Sequence, residues 1–129
     1  MKNLIEYIYE SAGIKHDKRN CKFIHANGHL TYFEFPITTI IDGYEDAFEI
    51  ETLFVDKSSR HKGIGAKLIK SMQEYAKQKN KNIVLTCSPL LDKEITDEDI
   101  RLLEQYYERF GFVTKQHINK IPQMAWECV

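Results

Sequence analysis

The sequence predicts a single α/β domain over residues 1–129, built on a mixed β-sheet of about six strands flanked by helices. Two hairpin signals occur early in the chain, at Asn27-Gly28 and Asp42-Gly43, and favour antiparallel strands. After residue 56 the hydrophobic pattern changes from strand to helix spacing, and the strand–helix–strand order that follows implies a parallel pair. A length of 129 residues suits one domain with its own core.

The first half of the chain is expected to contain one helix and three strands. Residues 3–12 have apolar positions at helical spacing. Residues 21–26, 29–35 and 48–55 read as strands, and residues 37–41 continue the extended character after a proline. We expect no strand before residue 21.

The second half is expected to contain two helices and three strands. An apolar stripe at helical spacing begins at Ile64, and the lysine-rich run 77–81 ends that helix. Residues 83–87 form a short apolar strand buried on both faces. Thr96 is the predicted N-cap of the second helix. Its apolar stripe consists of Ile100, Leu103, Tyr107 and Phe110. Residues 112–118 and 123–129 complete the sheet around a turn at Pro122.

Composition excludes several classes of protein. A net charge of −1 argues against a nucleic-acid-binding protein, which normally carries a basic excess. The three cysteines are widely spaced, and neither they nor the five histidines have metal-ligand spacing, so no metal is expected. No stretch approaches the roughly 20 apolar residues of a membrane span. We therefore expect a cytoplasmic protein with reduced thiols.

The most informative segment lies between the third predicted strand and the first apolar helix after it. It consists of Arg60, His61, Lys62, Gly63, Ile64 and Gly65. Glycines at the mouth of a helix let backbone N–H groups approach a ligand, and a helix N-terminus favours an anion such as pyrophosphate. The basic side chains add charge for other phosphates. The alternative is that the glycines only shape a turn.

Two stretches together resemble the GNAT superfamily of N-acyltransferases. IETLFVDKSSRHKGIGAKLIKSM (residues 50–72) is similar to the acetyl-CoA-binding segment of that family, with its strand, four-residue loop and RxxGxG run. YYERFGF (residues 106–112) is similar to a second family signature downstream. The resemblance covers roughly residues 48–129 and implies a GNAT-like fold.

The resemblance also implies roles for particular residues. Backbone groups of Leu53, Phe54 and Val55 would bind the pantetheine arm of acetyl-CoA, and the amides of residues 60–65 would bind its pyrophosphate. Tyr107 would protonate the departing thiolate. The acceptor would be an amine of a small molecule or a protein, and a homodimer is left open. The family often has an asparagine contacting coenzyme A where this chain has Ile100.

The catalytic candidates each have a structural alternative. Tyr107 also belongs to an apolar helix stripe, which is usually core. Glu49 and Glu51 are candidate bases, but they are also ordinary exposed strand positions. Strict alternation would place them on one side of the strand, together with Leu53 and Val55, and would place Ile50, Thr52 and Phe54 on the other.

The leading hypothesis is an N-acetyltransferase that moves an acetyl group from acetyl-CoA to a primary amine. A non-catalytic acyl-CoA-binding sensor or scaffold is the alternative. Tyr107 discriminates between the two hypotheses, because an enzyme needs a proton donor near the sulfur and a sensor does not.

Overall fold

The computed structural model of the protein describes residues 13–60, 62–89 and 94–128. One sheet contains seven strands in the order β1-β2-β3-β4-β5-β7-β6. The strands are β1 (Lys15–Asp17), β2 (Lys22–His25), β3 (Gly28–Phe33), β4 (Phe48–Val55), β5 (Ile83–Thr86), β6 (Val113–Ile118) and β7 (Ile121–Trp126). The two α-helices are α1 (Ile64–Lys79) and α2 (Asp97–Glu108). The predicted mixed α/β fold is confirmed.

The only parallel strand pair among the described residues is β4 with β5, which the chain joins through α1. The other neighbouring strands are antiparallel. Asn27 lies in the turn between β2 and β3, where His25 pairs with Gly28, so the first hairpin signal is confirmed. Pairs of this kind are local in sequence, which is why the turn residues predict them.

Helix α1 buries the apolar stripe that its spacing predicts. The stripe consists of Ile64, Leu68, Ile69, Met72, Tyr75 and Ala76, each at most 8% exposed. The helix ends where Asn80 adopts a left-handed conformation and its N–H bonds to the carbonyls of Ala76 and Lys77. Tyr107 of α2 belongs to the same buried cluster as this stripe, so both helices contribute to one core on one face of the sheet. We call this the helical face.

Thr96 caps α2 as predicted. Its side chain accepts a hydrogen bond from the Asp99 N–H, and the Asp99 carboxylate accepts one from the Thr96 N–H. This reciprocal cap stabilises the helix start by about 1 kcal/mol. No described helix has the length and apolar character needed to cross a membrane.

The sheet contains one strand more than expected. Lys15–Asp17 forms β1 and pairs with β2, whereas the sequence predicts no strand before residue 21. A three-residue strand carries too little alternation to be recognised, and pairing with β2 supplies its stability. The helix predicted over residues 3–12 lies outside the described residues.

Residues 34–47 were expected to contain an extended stretch over residues 37–41 and a turn at Asp42-Gly43. The turn is present, with the Tyr44 N–H bonded to the Ile41 carbonyl, but no strand forms over residues 37–41, so that part of the prediction is wrong. The segment is an irregular connection between β3 and β4. It crosses the face of the sheet opposite the helices, where its Ile41, Tyr44 and Ala47 are buried against Val84 and Ala125. Burial of its apolar residues against the sheet, rather than strand pairing, accounts for the apolar character of the segment.

The turn of the last hairpin lies at residues 119–120, before the predicted position at Pro122. Asn119 and Lys120 both have positive φ, of 52° and 67°, and join β6 to β7. Pro122 lies inside β7, where it pairs with His117. Its carbonyl accepts a hydrogen bond from the Cys87 N–H. The turn at Asn119 and Lys120 was not predicted because Pro122, two residues later, is a stronger turn signal.

A β-bulge interrupts β4 at Glu51. Thr31 of β3 is opposite Thr52, but the next residue, Tyr32, is opposite Ile50. Glu51 is therefore the extra residue on β4, and the strand bends at this point.

The bulge reverses the alternation of the second half of β4. Strict alternation predicts Thr52 and Phe54 on the same side as Ile50, and this prediction is wrong. Instead, Leu53 and Val55 join Ile50 on the helical face, where they contact the core. The extra residue shifts every later side chain to the other face, which residue type alone does not reveal.

Candidate functional site

The two central strands separate beyond Ile50. Pairing between β4 and β5 covers Phe48–Ile50 and Ile83–Leu85, whereas β4 continues to Val55. The edge of β4 that follows the bulge is therefore not paired with β5. The gap leaves main-chain N–H and C=O groups available to a ligand.

Two adjoining grooves open at this gap. The inner groove, of about 240 Å³, is lined by Ile50, Glu51, Thr52, Leu53, Phe54, Arg60, Leu85, Thr86, Ser88, Pro89, Leu103 and Tyr107. The outer groove, of about 910 Å³, is lined by Leu53, Val55, Ser59, Arg60, Gly63, Ile64, Gly65, Ala66, Leu102, Leu103, Gln105, Tyr106, Arg109 and Phe110. Three residues line both grooves, so a long ligand can run from one into the other.

The start of α1 forms one wall of the outer groove. Gly63 is the N-cap, with φ 80° and ψ 8°, and no side chain caps the helix. The Lys67 N–H bonds to the Gly63 carbonyl, so the amides of Ile64, Gly65 and Ala66 precede the first intrahelical bond. No acidic residue lies in the first turn. The helix end is therefore suited to an anion.

Gly65 also leaves room for a side chain of α2, which the sequence does not reveal. A Cβ atom at this position would lie 2.7 Å from the Tyr106 hydroxyl, which is too close for any real contact. Tyr106 reaches across the outer groove from α2, and Arg109 lies with its guanidinium carbon 5.7 Å from the centre of the Tyr106 ring. Gly65 thus permits close approach between the first turn of α1 and α2.

Arg60 lies where the two grooves meet. Its side chain is exposed, and Nε donates a hydrogen bond to the Val55 carbonyl at 3.2 Å. A second guanidinium, that of Arg109, lines the outer groove from α2. Lys62 is exposed and is not part of the lining of either groove, and His61 lies outside the described residues.

Tyr107 faces the inner groove from α2. It is 6% exposed, and its ring packs against Phe112 in an edge-on contact with centroids 5.7 Å apart. Burial, followed by the nearby Cys87 and Tyr106, raises the pKa of the Tyr107 phenol well above its ordinary value of 10.0. The phenol is protonated at neutral pH, as an ordinary tyrosine also is, so the shift by itself does not mark a proton donor.

Glu49 is occupied by the segment that crosses the sheet. It is 2% exposed, and Oε1 accepts hydrogen bonds from the N–H groups of Ile37 (2.7 Å), Thr38 (2.9 Å) and Thr39 (3.2 Å). The hydroxyls of Thr38 and Thr39 donate to Oε2. Burial by itself raises the pKa of this carboxyl, but these hydrogen bonds outweigh burial, so the pKa lies below its ordinary value. These contacts support the structural interpretation of Glu49.

Replacing Glu49 with glutamine is expected to lower the free energy of unfolding at neutral pH by about 2 kcal/mol, because hydrogen bonds to a charged acceptor are lost. The folded pKa is below the ordinary 4.5, so the contribution is complete above pH 4.5 and declines as the pH falls through the folded value. Urea unfolding at neutral and acidic pH measures the difference. Glu51→Gln, at an exposed position of the same strand, is the control and should stay within about 0.5 kcal/mol of wild type. An equal effect of the two changes would contradict the structural role of Glu49.

Glu51 has a different environment. It is exposed at the bulge, lines the inner groove, and accepts a hydrogen bond from the Thr31 hydroxyl at 3.0 Å. Two of the three predicted catalytic residues, Glu51 and Tyr107, therefore line the same groove. The role of Glu51 as a base stays a prediction.

The α2 side of the outer groove was not predicted from the sequence. It consists of Leu102, Leu103, Gln105, Tyr106, Arg109 and Phe110. Their spacing along α2 is the available signal, since residues three and four apart share a helix face. The described residues contain no group of three or more His, Cys, Asp or Glu side chains able to hold a metal ion.

Comparison with known proteins identifies the same fold. The acetyltransferase (GNAT) domain family model matches residues 35–114, more than half of the chain. No curated protein matches the sequence significantly.

Three solved structures illustrate the likeness. The anti-CRISPR protein AcrVA5 has a TM-score of 0.61 at 20% identity, over 82% of this chain and 96% of its own. PH1933 from Pyrococcus horikoshii OT3 has a TM-score of 0.63 at 18% identity, over 95% and 71%. The PaiA N-acetyltransferase from Thermoplasma acidophilum, solved in complex with coenzyme A, has a TM-score of 0.55 at 17% identity, over 78% and 53%. At these identities the likeness shows a shared fold.

Proposed function

The chain belongs to the GNAT family of acetyltransferases, and from that premise we propose that it transfers an acetyl group from acetyl-CoA to a primary amine. One observation carries the proposal. The inner and outer grooves share Leu53, Arg60 and Leu103, and so connect an uncapped helix N-terminus to a buried tyrosine, Tyr107.

The outer groove is proposed to bind the phosphates of acetyl-CoA. Amides of the first turn of α1 would donate to the pyrophosphate, and Arg60 and Arg109 would approach it from opposite walls. The unpaired edge of β4 at Leu53–Val55 would bond the pantetheine arm as an added strand would. This arrangement directs the thioester into the inner groove.

The inner groove is proposed to hold the reacting groups. Glu51, directly or through a water molecule, would remove a proton from the attacking ammonium to give a neutral amine. A main-chain N–H of β4 would polarise the thioester carbonyl. After the C–N bond has formed, Tyr107 would donate its proton to the thiolate of coenzyme A as the C–S bond breaks. The second proton lost from the amine nitrogen would then restore the Tyr107 phenol. Glu49 is not assigned a chemical step, because its oxygens already accept five hydrogen bonds.

A non-catalytic acyl-CoA sensor is the second candidate function. The same outer groove would serve such a protein equally well. The observation that favours an enzyme is that Tyr107, although it belongs to the core cluster, also lines the inner groove.

Acetyl-CoA is expected to stabilise the folded protein, because the outer groove exists only in the native state. At a ligand concentration of 100 times Kd the gain is about 2.7 kcal/mol. A thermal melt with and without saturating acetyl-CoA measures it. Adenosine, which lacks both the pyrophosphate and the pantetheine arm, is the control. An unchanged melting temperature with acetyl-CoA would remove the basis of the proposed function.

A further inference from the structure

A third groove lies on the face of the sheet opposite the helices. It has a volume of about 430 Å³, within the range of small-molecule sites. Its lining includes Thr31, Tyr32 and Phe33 of β3. Thr31 and Phe33 alternate with Leu30 and Tyr32, whose side chains belong to the helical core, so the floor is formed mainly by the other face of the strand. Its walls are the β1–β2 turn and the start of the segment 34–47. We call it the opposite-face groove.

The opposite-face groove adjoins the inner groove at the β4 bulge. Glu51 lines both grooves, and the Thr31 hydroxyl bonds to its Oε1 on the opposite-face side. An amine bound in the opposite-face groove with its nitrogen at Glu51 would therefore lie next to the gap that Tyr107 faces.

The chemistry of the opposite-face groove combines negative charge with exposed apolar surface. Its carboxylates are Glu34 and Glu51, and the one cation among the described residues of its lining is Arg19 of the β1–β2 turn. A second cation, Lys81, lies against the Phe35 ring outside the lining. Phe35 and Ile37 are 58% and 60% exposed, although they line the groove. Covering exposed apolar side chains with a ligand lowers the free energy of the complex. The carboxylates favour binding of an ammonium group.

The main chain of the apolar wall is held in place, although its side chains are exposed. The Ile37 and Thr38 amides bond to the buried Glu49 carboxylate. The Lys81 ammonium lies 4.4 Å from the centre of the Phe35 ring and donates to the Glu34 carbonyl. A preformed wall loses little conformational entropy on binding.

We propose that the opposite-face groove is the acceptor site and that it takes a primary amine carried on a compact apolar body, an alkylamine or arylalkylamine. The inference rests on the proposed function. Glu51 receives the ammonium, and Phe35 and Ile37 cover the apolar body. A polycation is disfavoured because it would place further charge against that wall.

The test uses phenethylamine as the probe and compares two isoleucines of the same segment. Ile37→Ala removes apolar surface from the groove, whereas Ile40→Ala changes a 68% exposed side chain that is not part of its lining. With acetyl-CoA saturating, Ile37→Ala should raise the KM for phenethylamine roughly tenfold and leave kcat within about twofold, since the lost contact is the same in the ground and transition states. Ile40→Ala should match wild type. Equal KM values for the two variants would overturn the proposal, as would a higher kcat/KM for spermidine or a lysine peptide than for phenethylamine.

Direct binding separates this proposal from the proposed function. Calorimetry of phenethylamine with the CoA-saturated protein should show weaker binding for Ile37→Ala than for Ile40→Ala, whether or not turnover occurs. Such a difference without acetylation of any amine would support amine binding in the opposite-face groove and contradict the proposed acetyltransferase function. Acetylation of phenethylamine by both variants with equal KM would support the acetyltransferase function and contradict amine binding in the opposite-face groove. If Ile37→Ala does not fold, Phe35→Ala removes apolar surface from the same wall of the groove and replaces it in the test.

Discussion

Replacing Tyr107 with phenylalanine is expected to lower kcat by about 10²–10⁴-fold, because it removes the proposed general acid from the leaving sulfur. The affinity for acetyl-CoA should change little, since the proposed sites for the phosphates and the pantetheine arm lie elsewhere. The ring remains, so its packing against Phe112 is retained. Release of coenzyme A at saturating acetyl-CoA and amine measures the loss.

The matched control for this substitution is Tyr44→Phe. Tyr44 is also buried, and its hydroxyl donates to Glu127 at 2.7 Å, in a cluster that lies away from both grooves. The Tyr44→Phe variant should have a lower free energy of unfolding and the same kcat as wild type. Tyr106→Phe is unsuitable, because the Tyr106 hydroxyl lies against Gly65 in the outer groove. A Tyr107→Phe variant as active as wild type would mean that the thiolate leaves unaided. A variant that unfolds would favour the core interpretation of Tyr107.

Replacing Gly63 with glutamate is expected to abolish acetyl-CoA binding. The N-cap of α1 would then carry a negative side chain at the amides that we propose bind the pyrophosphate. No atom within 4 Å obstructs a Cβ at this position, so the chain can accept the side chain sterically. The positive φ of 80° costs about 1–2 kcal/mol for any residue other than glycine. Isothermal titration with acetyl-CoA measures the affinity.

Gly43→Glu controls for that backbone cost. Gly43 has φ 92° and, like Gly63, has space for a Cβ with no neighbouring atom within 4 Å, but it lies in the segment 34–47 and away from the outer groove. Both variants should lose similar stability in urea unfolding, and only Gly63→Glu should lose the ligand. Normal acetyl-CoA binding by folded Gly63→Glu would show that the phosphates bind elsewhere.

Much of the fold could be predicted because the signals are local. The stripe of α1 repeats every turn, and the cap of α2 spans only Thr96 to Asp99. The run Ile83–Leu85 is apolar at every position, and the structure buries all three residues between two layers. The glycines of residues 60–65 and the stretch YYERFGF indicated which helix ends to examine for a site. Each of these features depends on residues within about one or two helical turns.

Features that depend on distant contacts could not be predicted in the same way. The structural role of Glu49 depends on the N–H groups of Ile37, Thr38 and Thr39, which donate to its carboxylate. These donors belong to the irregular segment 34–47 and not to the strand that contains Glu49. A carboxylate with that many donors is a structural anchor, but its residue type and strand position equally suit a base. The sequence offered both interpretations and no means of choosing between them.

By itself, therefore, the sequence determined the mixed α/β fold, the positions of both described helices and the family resemblance, because periodicity, caps and short motifs are properties of neighbouring residues. The tertiary structure decided which side chains meet. It placed a bulge at Glu51, brought Tyr106 against Gly65, and laid residues 34–47 over the sheet. A bulge follows from the pairing of two strands, and a close approach follows from the packing of two helices, so neither is encoded in the local pattern of either element.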